Sequence, residues 1–274
     1  MIDPQDVKII ENIDIYMPNN NINKIVENTV ETWQPNRTEA SKIQDTKIGK
    51  TAENIFTSYI KENKSNFQYL SYDNFRTNNF KKHAPFDGLL FYKDINESTL
   101  KNIIDKINQE ITKSEFGKVS DELKSECIKN KIYIVEVKST RISSRHKING
   151  KISLEKILND DFLEYPKFLR TDKYGKINNF DDYIDFAKKY RKFLCKDHID
   201  CIQKIKELEK SNMRHLYFRI YIDLDTKTAY IIGYIYFVDF IKYCTLKKMR
   251  KRNKSEFALY LAAPLKNGEK IDNL

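Results

Sequence analysis

Two spacings of apolar residues divide the chain into predicted helices and strands. Apolar residues three and four positions apart predict one helix from Ile48 to Ile60, and further helical structure over residues 97–129, interrupted at Phe116. A looser apolar stripe that starts at Val7 predicts a helical, peripheral region over residues 1–45. Helices with an apolar stripe of this kind pack against a core, so each is expected to cover a sheet or another helix.

Short runs rich in β-branched and aromatic residues predict strands. These runs cover residues 67–72, 89–92, 131–140, 216–222 and 229–236. The last two runs are joined by the polar sequence Asp-Leu-Asp-Thr-Lys, which is typical of a hairpin turn. The helical segment between the second and third runs is expected to return the chain to the same sheet.

The third run is unusual because two opposite charges directly follow its apolar residues. Its residues 132–135 are all apolar, which predicts a central strand covered on both faces, and Glu136-Val137-Lys138 follows directly. Because successive side chains of a strand alternate between its faces, Glu136 and Lys138 should share one face and Val137 the opposite one. Two opposite charges at the end of a buried strand cost desolvation energy unless they pair, bind a metal or meet a substrate.

Two further carboxylates can join this pair. Asp87 stands between Pro85 and Gly88 at the mouth of the 89–92 strand, and Glu53 lies beside the apolar stripe of its helix. Considered singly, Asp87 could simply cap a turn, and Glu53 could simply lie at the rim of its helix. Taken together, the carboxylates suit Mg²⁺, and Lys138 could orient or deprotonate water or stabilise developing negative charge. This chemistry suits hydrolysis of a phosphodiester.

Composition favours a folded protein with a polyanionic partner. The chain has 274 residues, 40% of them hydrophobic, and a formal charge of +10 from 49 basic and 39 acidic residues. Its four cysteines show no paired spacing, which indicates a reducing compartment. No apolar run approaches the roughly 20 residues that span a bilayer, and the start lacks a signal-peptide pattern, so a cytoplasmic protein with no membrane contact is expected.

The constellation resembles the PD-(D/E)XK nuclease superfamily, which includes many type II restriction endonucleases. The resemblance rests on Asp87, on Glu136-Val137-Lys138, and on a preceding helix with the sequence Gly49-x-x-x-Glu53. It covers residues 46–140 and the hairpin at 216–236. The resemblance implies a mixed α+β fold with a restriction-endonuclease-like core, in which helices flank a central mixed sheet.

The resemblance also implies the roles of individual residues. Asp87 and Glu136 would be metal ligands, Lys138 the catalytic lysine, and Glu53 an additional ligand, while Val137 would contribute its backbone carbonyl. The implied cofactor is Mg²⁺, with Mn²⁺ as a substitute.

The chain is predicted to form a single nuclease domain over residues 1–274. Its helical N-terminal region is 1–45, its catalytic core 46–140 and 214–245, and its insertion or DNA-contact region 141–213. Basic residues are expected to contact DNA in two runs, one after the catalytic strand and one near the C-terminus. They are Arg141, Arg145, Lys147, Lys151, Lys247, Lys248, Arg250, Lys251 and Arg252.

A catalytic domain with basic loops and no separate DNA-reading domain fits a stand-alone type II restriction endonuclease. Cutting both strands of double-stranded DNA at a symmetric site would imply a homodimer. Two alternatives stay open. One is a nuclease of the same superfamily with a repair, mobile-element or other anti-phage role. The other is a non-catalytic nucleic-acid-binding protein in which the charged pair is a structural salt bridge.

Overall fold

The computed structural model describes residues 1–18, 39–78, 84–113, 119–164, 214–250 and 257–274. Its strands are β1 Lys8–Ile10, β2 Phe67–Ser71, β3 Gly88–Tyr92, β4 Ile132–Arg141, β5 Lys147–Ile148, β6 Lys151–Ile152, β7 Asp161–Glu164, β8 Leu216–Asp223, β9 Thr228–Tyr236, β10 Thr245–Arg250 and β11 Phe257–Pro264. Its α-helices are α1 Glu39–Asn63, α2 Glu97–Lys113, α3 Asp121–Lys129, α4 Leu154–Leu158 and α5 Phe237–Tyr243.

A mixed six-stranded sheet forms the centre of the described fold. Its strand order is β1-β9-β8-β4-β3-β2. The β4–β8 pair is parallel, and all the other neighbouring pairs of this sheet are antiparallel. The predicted mixed sheet flanked by helices is therefore confirmed. The helices α2 and α3 lie between β3 and β4 in sequence and return the chain to the same sheet, as predicted.

The two faces of β4 pack into different layers. Val135 and Val137 belong to the apolar cluster that α1 covers, whereas Ile132 and Ile134 pack with α2 and α3. Because Glu136 alternates with Val137, its side chain lies on the face opposite to α1. The prediction that Val137 enters a separate packing layer is confirmed.

The prediction of a helical N-terminal region was wrong for residues 1–18. This segment contains β1, which pairs antiparallel with β9 at the edge of the central sheet, and two short 3-10 turns. The apolar residues there alternate between burial and exposure, with Ile13 fully buried and Ile9 more than half exposed, which is the pattern of an edge strand and its flanks. Residues 19–38 lie outside the described part, and residues 39–45 begin α1.

A second, three-stranded sheet has the order β10-β11-β7. It joins the predicted insertion region, through β7, to a C-terminal segment that the sequence left unassigned. Residues 165–213, which make up most of the predicted insertion, lie outside the described part. Within the described ranges, no helix is long and apolar enough to cross a membrane.

His215 fastens the start of β8 to β4. Its ring Nδ1 accepts a hydrogen bond from the Ile134 backbone N–H at 2.9 Å, and its own backbone N–H donates to the Ile134 carbonyl at 2.9 Å. Nδ1 can accept only in the neutral ring. Burial, followed by the nearby Lys124 charge, lowers the pKa of His215 to about 4.

We expect His215 to make folding stability depend on pH. Between about pH 6.5 and 4 the unfolded chain protonates this residue and the folded chain does not. The stabilisation is therefore complete above about pH 6.5 and is lost as the pH falls toward 4. His215→Asn keeps an acceptor near the Nδ1 position without titrating. Between about pH 7.5 and 4.5, urea unfolding should show wild type losing about 2 kcal/mol more stability than His215→Asn. Equal losses in the two proteins would contradict this role.

Candidate active site

The candidate site lies where β3 stops pairing with β4. The last registered pair is Gly88 with Val135, after which β4 continues beside β8. Just beyond that pair, the Asp87 carboxylate accepts a hydrogen bond from the Val137 backbone N–H at 2.6 Å, and the Asp87 backbone N–H donates to the Val135 carbonyl at 3.0 Å. The Asp87 side chain thus satisfies a backbone donor that β3 no longer reaches. Glu136, predicted at a strand end, instead lies mid-strand at the point where the sheet opens.

The surroundings of Asp87 disfavour a negative charge on its carboxylate. Burial raises the pKa of Asp87 well above its usual range, and repulsion from Glu136 and Glu53 raises it further, against weaker opposition from Lys138. In the part of the chain that the structure describes, Asp87 forms no salt bridge with a cationic side chain. An added cation would relieve this repulsion.

On the face opposite to α1, Glu136 belongs to a buried network of charges. The Arg214 guanidinium lies 2.9 Å from Glu136 and 3.0 Å from Glu164, and Lys138 forms a salt bridge with the same Glu136 carboxylate. The side chains of Arg214, Glu136 and Glu164 are 5%, 7% and 3% exposed. The predicted sharing of one face by Glu136 and Lys138 is therefore confirmed by their direct contact.

Lys138 is the member of this network that reaches solvent, with a side chain 37% exposed. Burial lowers the pKa of Lys138, but attraction from Glu136, Glu164 and Asp87 outweighs this effect and leaves the pKa raised. The lysine is therefore a cation at neutral pH. A cation beside carboxylates and solvent can stabilise negative charge on a substrate.

A second charged cluster lies on the α1 side. Lys50 and Glu53 stand one turn apart on α1, and the Lys50 ammonium lies 2.8 and 2.9 Å from the two oxygens of Glu53. The same ammonium lies 2.5 Å from the Asp73 carboxylate, in the short 3-10 turn after β2, and Asp73 also pairs with Arg76 at 3.0 Å. Glu53 is thus held by a lysine of its own helix. Burial raises the pKa of Glu53 despite this partner.

A buried tyrosine hydroxyl lies within the electrostatic influence of these carboxylates. The Tyr69 ring packs edge-on against Phe56 at 4.9 Å, and its hydroxyl is buried without a hydrogen-bond partner among the described residues. Burial raises the pKa of Tyr69 well above its usual range, and the charges of Glu53, Asp87 and Glu136 raise it further. The hydroxyl therefore stays protonated and can donate a hydrogen bond to a group at the site.

Gly88 leaves the space that Tyr69 occupies. A Cβ atom at Gly88 would lie 2.5 Å from the Tyr69 Cζ and hydroxyl oxygen and 2.6 Å from the Leu70 carbonyl oxygen. Because a backbone atom is among these contacts, the neighbourhood cannot adjust by a side-chain rotation alone. The glycine therefore sets the distance between β2 and β3 next to Asp87.

We expect Gly88→Ala to lower the free energy of unfolding by about 1–3 kcal/mol, because the added methyl group overpacks the site. Gly49→Ala is the matched control, since a Cβ there meets nothing within 4 Å and alanine is favoured in a helix interior by about 1 kcal/mol. Urea unfolding of both variants measures the difference. A Gly88→Ala protein as stable as Gly49→Ala would contradict this packing argument.

The donor chemistry of the site fits a hard divalent cation, because carboxylate and carbonyl oxygens are the ligands that Mg²⁺ prefers. The neighbouring carboxylates Glu136 and Glu53, which repel a charge on Asp87, also favour an added cation at this place. In the described ranges, however, no group of three or more His, Cys, Asp or Glu side chains is arranged to hold a metal ion. Glu53 and Glu136 are engaged by Lys50 and by Arg214 with Lys138, respectively. A cation at Asp87 would therefore have to compete with Arg214 and Lys138 for Glu136.

The basic residues that follow β4 are partly neutralised. Arg145 pairs with Asp160 at 2.9 Å, and Lys147 pairs with Asp225 at 3.1 Å. Arg141, at the end of β4, and Lys151, on β6, are exposed. Arg141 and Lys151 thus offer the more accessible charge of this predicted DNA-contact segment.

The basic run near the C-terminus begins in a strand. Lys247, Lys248 and Arg250 lie on β10, which pairs with β11, and Lys247 lies 2.5 Å from the Asp161 carboxylate. Lys251 and Arg252 lie outside the described residues. The contribution of this run to DNA binding stays a prediction.

Sequence reasoning missed five residues of the site, and they differ in how they could have been found. Lys50 has the spacing of a helical pair with Glu53, and Arg214 lies two residues before a predicted strand, so Lys50 and Arg214 each left a signal. Asp73, Glu164 and Tyr69 left none, because only the folded chain brings them near the site.

Comparison with known proteins adds no assignment to this geometry. No protein-family model matches the chain, and neither the curated proteins nor the solved structures gave a match. Arguments about function therefore depend on the residues of the site itself.

Proposed function

We propose that this chain is a metal-dependent nuclease that hydrolyses DNA phosphodiester bonds, with the restriction-endonuclease-like core that its motif resembles. One observation carries the proposal. The Asp87 carboxylate accepts a hydrogen bond from the Val137 backbone N–H, although the two residues are 50 positions apart, and this contact sets Asp87 beside Glu136 and Lys138. Two carboxylates and a lysine therefore meet where the sheet opens.

Asp87, Glu136 and the Val137 backbone carbonyl are the groups that would hold Mg²⁺, or Mn²⁺ in its place. A bound ion of this kind lowers the pKa of its water and neutralises charge that builds on the phosphate. The resemblance also implies Glu53 as a ligand, but both its oxygens contact Lys50, so we do not place Glu53 in the metal shell. The partly buried Asp87 is fixed by its hydrogen bond to β4, so this ligand needs little reorganisation to meet an ion.

The protonation state of Lys138 suits electrostatic stabilisation better than it suits general-base catalysis. Its pKa is raised by the surrounding carboxylates, so it carries a proton at neutral pH. A protonated lysine can stabilise charge on the phosphate and orient the attacking water, whereas a base must first lose its proton. Its partly exposed side chain lies where a phosphate could approach from solvent.

Within nucleases, we favour a type II restriction endonuclease that acts as a homodimer on double-stranded DNA. The exposed Arg141 and Lys151 follow the catalytic strand, and the formal charge of +10 suits a DNA partner. A repair, mobile-element or anti-phage nuclease of the same superfamily would use the same site. A non-catalytic nucleic-acid-binding protein is favoured by one observation, which is that Glu136 already pairs with Arg214 and Lys138.

Digestion of plasmid DNA by the purified protein tests the proposal. We expect cleavage with Mg²⁺ or Mn²⁺ and none after EDTA treatment, because the bound ion supplies the activated water. Discrete fragments would favour a restriction endonuclease, and a smear would favour a non-specific nuclease. DNA binding without cleavage under any metal condition would support the non-catalytic alternative and contradict the nuclease.

A further inference from the structure

The two charged clusters near Asp87 differ in the cations that neutralise their carboxylates. On the face opposite to α1, Glu136 shares its charge between Arg214 and Lys138. On the α1 side, a single ammonium is bound by three carboxylate oxygens, two from Glu53 and one from Asp73. An ammonium has three N–H donors, so these three contacts match its full donor capacity in number.

Lys50 is well fixed in this position. Its side chain is 22% exposed, and those of Glu53 and Asp73 are 12% and 20% exposed. The Ser71 hydroxyl also lies 3.5 Å from a Glu53 oxygen, at the end of β2. The ammonium thus joins α1 to the end of β2, and a positive charge stands where Glu53 and Asp73 converge.

Carboxylate oxygens, the ligands that divalent ions prefer, lie in two directions from Asp87, one toward Glu136 and one toward Glu53. Ser71, whose hydroxyl lies near Glu53, pairs with Gly88, the residue directly after Asp87. The Asp87 carboxylate in turn accepts a hydrogen bond from Val137, the residue directly after Glu136, so the three carboxylates lie in one neighbourhood. Toward Glu53, however, the converging oxygens already surround the Lys50 ammonium. A divalent ion there would have to displace a lysine that three short contacts hold.

We propose that Lys50 acts as a built-in cation that takes the place of a second metal ion, so that the site binds one divalent ion, at Asp87 and Glu136. This inference rests on the proposed metal-dependent function. In it, Glu53 and Asp73 hold Lys50 near the site and do not ligate the catalytic ion. Lys50 is accordingly a positioning residue that supplies fixed positive charge.

Counting Mn²⁺ ions bound to the full-length protein without DNA tests the inference. Calorimetric titration and electron paramagnetic resonance should both find one Mn²⁺ per wild-type chain. Lys50→Ala should bind two, because Glu53 and Asp73 then offer their oxygens to an ion. Lys47→Ala, which removes an exposed lysine of the same helix, should keep one. Two ions in wild type, or a single ion in a folded Lys50→Ala protein, would overturn the inference.

Glu53→Gln provides a test that does not require removal of Lys50. We expect it to change Mn²⁺ affinity less than about threefold, because Glu53 is not a ligand while Lys50 is present. Asp87→Asn should weaken binding by at least about tenfold, since it removes a direct ligand. A tenfold loss in Glu53→Gln would overturn the role of Lys50.

These measurements separate the inference from the proposed function. Cleavage of DNA by a wild-type chain that binds two Mn²⁺ ions would overturn the role of Lys50 and leave the nuclease intact. The expected ion counts without any cleavage of DNA would support the role of Lys50 and contradict the nuclease.

Discussion

Lys138→Ala is expected to reduce Mg²⁺-dependent cleavage of plasmid DNA by about 1000-fold. Lys138 contacts Glu136 and also reaches solvent, so its removal takes away charge stabilisation at the phosphate. General acid–base or electrostatic groups of this kind typically contribute about 100- to 10,000-fold to the rate. Initial rates of supercoiled plasmid loss at saturating Mg²⁺ measure the effect.

The matched control is Lys93→Ala, which removes an exposed lysine just beyond the opposite end of β3 from Asp87. It should cleave at nearly the wild-type rate. DNA affinity, measured by fluorescence anisotropy without Mg²⁺, should fall less than about fivefold in both variants, because one phosphate contact contributes little to affinity at moderate salt. Unchanged cleavage by Lys138→Ala would remove this residue from the catalytic assignment.

Arg214→Met is expected to lower the free energy of unfolding by about 3–5 kcal/mol. The change keeps an unbranched side chain and removes the guanidinium, so Glu136 and Glu164 lose their shared partner in a buried environment. Breaking a buried ion pair from one side is costly because the remaining charge stays desolvated. Urea unfolding at neutral pH measures the loss.

Two further variants show whether burial is the cause. Arg145→Met removes an arginine that also pairs with a carboxylate at 2.9 Å but is 62% exposed, and an exposed pair of this kind contributes about 0–1 kcal/mol. Arg214→Met combined with Glu164→Gln should recover part of the lost stability, since it removes one of the two buried carboxylate charges that Arg214 neutralises. Equal losses in Arg214→Met and Arg145→Met would show that the buried network does not stabilise the fold.

The strands of the central sheet other than β1 could be predicted from the kinds of residue that they contain. The run 132–135 is apolar at every position, which predicts a central strand. The two runs around the 223–227 turn are rich in aromatic and β-branched residues, which predicts a hairpin of two strands. The opposite orientations of Val137 and Glu136 follow from strand geometry alone. The edge strand β1 could not be predicted in the same way, because three residues are too few to display a period.

The carboxylates of the site were easier to predict than their partners. Asp87 and Glu136 stand out because acidic residues rarely adjoin buried strands, whereas Lys50 and Arg214 are two of 49 basic residues in the chain. A count of charges also overstates the accessible positive surface, since Arg145 and Lys147 prove to be paired with carboxylates. Which charges remain available is decided by tertiary contacts that the sequence does not display.

The parallel pairing of β4 with β8 has a consequence for how the protein folds. These strands are joined only after the chain from Ile142 to His215 has closed into a loop, and that closure costs conformational entropy before any contact repays it. Arg214 and Glu136 meet across this same pairing. The local hairpins can form early, but the charged network of the site should be among the last parts of the molecule to assemble. A partly folded chain would therefore have strands and helices before the residues of the candidate site came together.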